Sequence, residues 1–361
     1  MMRTLKMTSI VCGLLLGACE NEAPKPKVES APKVVDKAPV APTPPPKPAK
    51  LTTAELVKRF EDCGTVATLK DPQKHAGCYT EGAIATMIDS GQTFKGAKAI
   101  LEGLFGPFMA AFPDMNPQNV LILANGNKIA AVKLLQATQT GPLMGIPASN
   151  KKIGFNGLQI LEMSDDGKIT SDTHAADMGT LMGQIGVSPA PHRAVIAQPA
   201  APTQTIIATD SKTESENIAG CRAANAAINK HDVAALLAST ADDAVMHFMT
   251  MPADVTGKKA IEASLKDWFT AFPDSVQTIS DVWGAGDYVV EVGEWTGTNT
   301  GDMKSAGLKK TGKPVKLHYA AVHRIEGGKL KEMWEFENGM AFAMQLGLMP
   351  PPGGAPAPAH Q

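Results

Sequence analysis

Neither sign of charge dominates this chain. Its 34 lysines and arginines stand against 36 aspartates and glutamates, a net charge of −2 over 361 residues. No segment carries the basic stripe that electrostatic binding to nucleic acid requires, so no nucleic-acid partner is expected. The chain contains no glycine-rich nucleotide loop, no Gly-x-Ser-x-Gly elbow and no His-Glu-x-x-His zinc motif. Those absences weigh against the enzyme classes built on these motifs. No apolar run reaches the roughly 17–25 residues of a membrane-spanning helix; the run Met7 to Leu16 falls well short. Aromatics are scarce at 5%, and they are unevenly placed. All four tryptophans (Trp268, Trp283, Trp295, Trp334) and two of the three tyrosines (Tyr288, Tyr319) lie in the second half. The two halves must therefore differ inside, even if they share a fold.

What is present begins with processing sequence. Arg3 and Lys6 precede the short apolar run, and small residues lead into a cysteine in Leu16-Gly17-Ala18-Cys19. This resembles the bacterial lipobox, which implies cleavage of residues 1–18 and lipidation of Cys19. The expected location is the bacterial cell envelope, with the chain tethered to a membrane and facing the periplasm or exterior. Two or more acyl chains anchor stably where one binds only marginally. Residues 19–50 then form a Pro/Lys-rich tether. Nine prolines and six lysines among its residues, with no apolar period, cannot bury enough surface to offset chain entropy. In polyproline II, at about 3.1 Å per residue, it would reach up to roughly 90 Å.

Beyond Cys12 and Cys19, the cysteines are Cys63, Cys78 and Cys221. An odd number in an oxidising compartment leaves one unpaired. Cys63–Cys78 is the first expectation and Cys63–Cys221 the second. No Cys-x-x-Cys or paired histidine accompanies them, so their spacing does not suit zinc.

The body of the chain repeats itself. The stretch 94–114, FKGAKAILEGLFGPFMAAFPD, aligns with 255–274, VTGKKAIEASLKDWFTAFPD. Residues 166–186 and 327–347 align in the same way. A period near 160 residues is far too long for a solenoid and indicates domain duplication. Each copy opens with amphipathic helices, for which Thr52 or Thr53 is a candidate cap in the first. A helix then ends at Ala-Phe-Pro-Asp, and β-type runs such as 129–135 and 315–325 follow. Helices first and strands afterwards predict α+β: a curved antiparallel sheet with helices packed on one face, forming a cone-shaped fold twice over. The copies span 51–187 and 208–348, with a Pro/Ala-rich linker at 188–207 and a tail at 349–361.

Three features carry a family resemblance. They are the Ala-Phe-Pro-Asp that closes each helix, Thr311-Gly312-Lys313, and the Gly-Lys strand running on to Gln-hydrophobic-Gly at 184–186 and 345–347. Together they resemble the SnoaL-like polyketide cyclases and ester cyclases of the nuclear-transport-factor-2-like superfamily. The resemblance implies a conical apolar pocket for a small, polyketide-like ligand. In catalytic members it also implies cofactor-free, metal-free ring closure by a carboxyl acid/base. Burial raises a carboxyl pKa toward neutrality and suits it to that work. Other members only bind.

The family's final strand reads Gly-Lys-Ile-x-x-x-Trp-x-x-x-Asp. The first copy keeps Asp177 but has Thr173 in place of the tryptophan; the second keeps Trp334 but has Asn338 in place of the aspartate. Asp177, with His174 and Asp172 sharing one strand face, forms the candidate catalytic group. Asp177 also precedes the last helix, where a cap would stand. In the second copy His247, His318, His323, Glu335 and Glu337 are the titratable candidates, with Trp295, Trp334 and Tyr319 as candidate pocket walls. His318 and His323 are five apart, so a regular strand sends them to opposite faces. Two functions follow as expectations. One is ligand binding, with or without acid/base chemistry in the first domain. The other is an interaction module that docks its sheet faces on each other or on a second copy.

Overall fold

The computed structural model describes residues 50–88 and 91–349. The expected signal peptide, Cys19, nearly all of the tether and most of the tail lie outside the described residues. Among the described residues no helix is long and apolar enough to cross a membrane.

The first domain opens with three helices: α1 (Thr53–Cys63), α2 (Val66–Leu69) and α3 (Pro72–Gly77). Thr52 caps α1 in a capping box with Glu55, each side chain satisfying a backbone N–H of the other. Strands β1 (Tyr79–Met87) and β2 (Thr93–Lys95) follow, then α4 (Ala97–Ile100) and α5 (Gly106–Ala111), joined by a π-helical turn at Leu101–Phe105. The long strands β3 (Asn116–Asn125), β4 (Lys128–Thr138), β5 (Lys152–Met163) and β6 (Ile169–Ala176) come next, and α6 (Met178–Gln184) closes the unit. Residues 188–203 hold no helix or strand, but β7 (Gln204–Ile207) pairs in parallel with β3, so the stretch expected as a linker adds an edge strand.

The second domain repeats the order. It runs α7 (Lys212–Ile228), α8 (Val233–Ala238), β8 (Thr240–Phe248), β9 (Val255–Thr256), α9 (Lys258–Ala271), β10 (Val276–Ala285), β11 (Tyr288–Thr298), β12 (Pro314–Glu326), β13 (Lys329–Glu337) and α10 (Gly339–Leu346). Ser211 and Glu214 repeat the capping box on α7.

One residue separates the repeats in length across the helix before Phe-Pro, and the π turn absorbs it. Pro107 has no N–H to offer the helix and crowds the preceding turn. The helix widens there, so that the Gly106 N–H bonds Leu101 O, five residues back. A π turn accommodates one extra residue in this way. The second copy, without that proline, forms the uninterrupted α9.

The sheets run β2-β1-β6-β5-β4-β3-β7 and β10-β11-β12-β13-β8-β9. They correct one detail of the expectation, since they are mixed rather than purely antiparallel. β1 lies parallel to β6, and β8 parallel to β13, because the chain returns to its first strand only after the whole meander. Bulges at Asn119/Leu121 and Ile279/Asp281 bend the corresponding strands at corresponding places. Cys63 and Cys78 form the disulfide, and Cys221 is free and buried, which removes the Cys63–Cys221 alternative.

Both faces of each sheet are covered. The concave faces meet the helices. The other faces pack on each other, with Leu123, Val132 and Ile160 against Trp283, Val322 and Phe336 in one apolar cluster. Asn125 Nδ2 donates to Gly284 O at 2.9 Å, and Lys128 pairs with Asp281 at 2.7 Å along the rim of that contact.

Candidate functional site

Strand alternation decides which residues enter each cone. In the first cone the inward row of β6 brings Asp172, His174 and Ala176 under the helices. Asp172 has no exposed surface. Its carboxylate accepts from Tyr79 Oη at 2.7 Å and from Gln159 Nε2 at 2.8 Å. His174 Nε2 lies 3.0 Å from Asp172 Oδ2. Lys133 Nζ donates to Gln159 Oε1 and sits 5.0 Å from the Phe60 ring centroid. Burial pushes the Asp172 carboxyl up, but His174, Gln159 and Tyr79 outweigh it and hold the group below the usual carboxylate range. Burial pulls Lys133 down to about 8 and His75 down to about 4, with Asp172 opposing both.

Little room remains above this network. The first cavity holds about 140 Å³, closed in by Phe60, Leu104, Phe105, Phe108 and Met109. That is below the roughly 300 Å³ at which ligand pockets begin. His174 reaches its wall, whereas Asp172 and Asp177 are not among its lining residues. Asp177 is occupied elsewhere. As N-cap of α6 it accepts from Gly179 N and Thr180 N, each at 2.9 Å. Asn338 does the same for α10, accepting from Ala341 N at 2.7 Å. Aspartate and asparagine cap about equally well, so the exchange between the copies leaves this role intact.

The second cone is open inside. Its cavity measures about 710 Å³, roofed partly by Gly220 and Ala224 of α7, whose small side chains leave the space free. Apolar walls come from Leu236, Met246, Leu265, Trp268 and Phe342. A polar wall comes from inward positions of three adjacent strands: Glu291 and Trp295 on β11, Tyr319 and His323 on β12, Glu335 and Glu337 on β13. Tyr319 Oη donates to Glu291 Oε1, and the Trp295 indole N–H donates to Glu337 Oε1 at 2.8 Å. Gly293 makes the first of these possible, because a Cβ there would lie 2.5 Å from the Tyr319 hydroxyl and 2.6 Å from Thr278 O. Burial, with Glu337 and Glu291 adding repulsion, drives the Glu335 carboxyl far above its usual range. Burial lifts Glu337 to about 7, against the pull of the Trp295 hydrogen bond. Such a pair offers a protonated donor and a group that exchanges a proton near neutrality.

Of the residues singled out in the second copy, Trp295, Tyr319 and Glu335 line this cavity, together with His323 and Glu337. Trp334, His247 and His318 lie outside it. Trp334 packs against the cluster between the two sheets, with the His247 ring stacked 5.4 Å from it. His247 is held between Asp254 at 2.9 Å and Glu332 at 3.1 Å. His318 is exposed on the opposite face of β12 from His323. The sequence reading missed Glu291 and Cys221. An acidic residue in the inward row Val289, Glu291, Gly293, Trp295 was the available signal.

Two family models match the chain. Residues 58–185 match the SnoaL-like polyketide cyclase model, and residues 221–333 match the SnoaL-like domain model. No curated protein matches. Among solved structures, the chain is similar to a proposed SnoaL-like polyketide cyclase from Jannaschia sp. CCS1, at 20% identity over 39% of this chain and 97% of that one, with a TM-score of 0.36. It is also similar to IdmH, a proposed polyketide cyclase from Streptomyces antibioticus, at 24% identity over 38% and 99%, with a TM-score of 0.32. A third is AclR, a proposed hydroxylase from Streptomyces galilaeus, at 24% identity over 38% and 85%, with a TM-score of 0.34. Each of these covers well under half of this chain. The two matched stretches follow one another along the chain, each over a helix-roofed curved sheet, and the chain therefore belongs to the SnoaL-like family, with two such domains in tandem.

Proposed function

We propose that this chain binds one small, largely apolar, oxygen-bearing molecule of polyketide-like character in its second domain, and that the first domain serves as its docked scaffold. The carrying observation is the contrast in volume, about 710 Å³ against about 140 Å³, with the acids Glu335 and Glu337 on the wall of the larger space. A protonated Glu335 would donate to a ligand oxygen, and Trp268 and Phe342 would cover the apolar body. The lipobox-like Leu16-Gly17-Ala18-Cys19 supports an envelope lipoprotein that holds this site out from a membrane. Native mass spectrometry of the chain is expected to find one bound molecule per chain, absent from an Ala224→Trp variant that fills the cavity. Two molecules per chain, or retention by the variant, would overturn the proposal.

Burial that lifts Glu337 to about 7 beside the buried acid Glu335 favours proton transfer as a second reading. The chain should then speed deuterium exchange at the acidic C–H of a 1,3-diketone in heavy water. The rate should rise through about pH 7, and Glu337→Gln should remove it. Exchange no faster than in buffer would leave binding alone.

A further inference from the structure

Cys221 on α7, Glu291 on β11 and His323 on β12 converge at one end of the larger cavity. Their sulfur, carboxylate oxygen and imidazole nitrogen all lie within 4.8 Å of one another. Cys221 Sγ stands 2.7 Å from Glu291 Oε2, and His323 Nε2 stands 3.7 Å from the same oxygen. His323 Nε2 is buried and has no hydrogen-bond partner. An unsatisfied buried nitrogen of this kind is destabilising unless a ligand satisfies it. Glu291 is meanwhile oriented from behind. Its Oε1 accepts from Tyr319 Oη and, at 3.3 Å, from Gln277 Nε2, which turns Oε2 toward the cysteine and histidine. Outer hydrogen bonds that aim a carboxylate in this way are usual behind metal ligands.

We infer that Cys221, Glu291 and His323 form a three-ligand site for a zinc-class divalent cation, with its fourth position open to the cavity. Sulfur, oxygen and nitrogen donors in this combination suit zinc or cobalt, at about 2.0–2.3 Å from the ion. Tetrahedral bonds of that length set ligand atoms about 3.3–3.8 Å apart. The histidine–carboxylate spacing already has this value, and the cysteine–carboxylate spacing opens when the ion displaces the thiol proton to solvent. Thiolate, carboxylate and neutral imidazole then balance the ion's two positive charges. No linear spacing reveals the site, because its ligands come from three separate elements. The first cone serves as an internal control. By hairpin register its counterparts to Glu291 and His323 are Ala131 and Leu161, which cannot ligate. The inference concerns an ion and stands apart from the identity of the organic ligand.

The test is a cobalt(II) titration of the chelator-treated full chain with its Cys63–Cys78 disulfide intact. One equivalent is expected to bind, with a thiolate-to-cobalt charge-transfer band and the strong visible bands of a four-coordinate ion, all bleached by zinc. Cys221→Ser should abolish the charge-transfer band. His323→Leu, which installs the first cone's residue, should weaken binding at least about tenfold with an unchanged circular dichroism spectrum. Absence of the charge-transfer band in the native chain, its persistence in Cys221→Ser, or unchanged affinity in His323→Leu would overturn the site.

Discussion

The two cones share a backbone and differ in what fills them. One cross-strand pair shows how. In the first cone Lys133 stands opposite Gly157, and in the second Gly293 stands opposite Tyr319. The glycine has changed sides, so a different bulky polar group crosses the same spot on the inner face. Around that spot the first cone is closed by Phe60, Phe105 and Phe108, while the second is roofed by Gly220 and Ala224. A cavity in this architecture is thus a decision made at a few inward positions. The first copy uses them for a satisfied polar core and the second for an open space with carboxylic acids on its wall.

Substitutions at four positions and one pH titration put this comparison under strain. The largest effect is expected at Asp172, whose counterpart in the second cone is Met333. Asp172→Met leaves the Tyr79 hydroxyl and the Gln159–Lys133 chain without their buried acceptor. Breaking such a network should cost about 3–5 kcal/mol in urea unfolding; a cost below about 1 kcal/mol would mean that the network does not hold the first cone together. Next comes Gly293→Ala. Its new methyl meets Tyr319 and the Thr278 carbonyl, and overpacking of this kind costs about 1–3 kcal/mol. Replacing Gly157 gives a useful contrast, since a Cβ there finds only ordinary contacts of 3.4 Å or more. Asp177→Ala should cost about 1 kcal/mol through loss of the α6 cap, whereas Asp177→Asn should change stability by only a few tenths. A large loss in the asparagine variant would show that the charge does more than cap.

The smallest effect concerns His247, stacked on Trp334 within the second domain. Burial pulls His247 down, but Glu332 and Asp254 outweigh it and hold the imidazole above its ordinary value. The folded chain therefore favours the charged ring. That contribution is complete below about pH 6.5, the ordinary histidine value, and fades as pH rises through the raised value. The stability difference between the native chain and His247→Gln should shrink from at most about 1 kcal/mol toward zero as pH rises above about 6.5. A difference that grows with pH would reverse the assignment. Asp254 and Glu332, both held below the usual carboxylate range, lose their contributions only in strong acid.

Much of the fold was legible. The repeat at 94–114 and 255–274 gave the duplication, and even its one-residue mismatch had a physical meaning as the π turn beside Pro107. Helices ahead of strands gave α+β, but nothing local marks β1 and β8 as parallel partners of the last strands. The site was read less well. Adjacent strand residues face opposite ways, so Trp334 with Glu335, and His318 with Tyr319, never both belonged to one cavity. Alternation alone excluded one of each pair, but not which one. The cap role of Asp177 was legible, since it stands one residue before a helix, whereas that of Asn338 came only with the structure. Cys221, Glu291 and His323 were not legible as a group, because only the folded chain brings α7, β11 and β12 together.

Only the second cone has a cavity of ligand size, about 710 Å³ against about 140 Å³ in the first. The most direct test of this difference is a crystal structure of the chain soaked with 2-naphthol, a two-ring apolar probe with one hydroxyl. One naphthol is expected in the second cone, its oxygen within hydrogen-bond reach of Glu335 or Glu337, and none in the first. A naphthol bound in the first cone, or a second cone that stays empty of it at saturation, would overturn this division of roles.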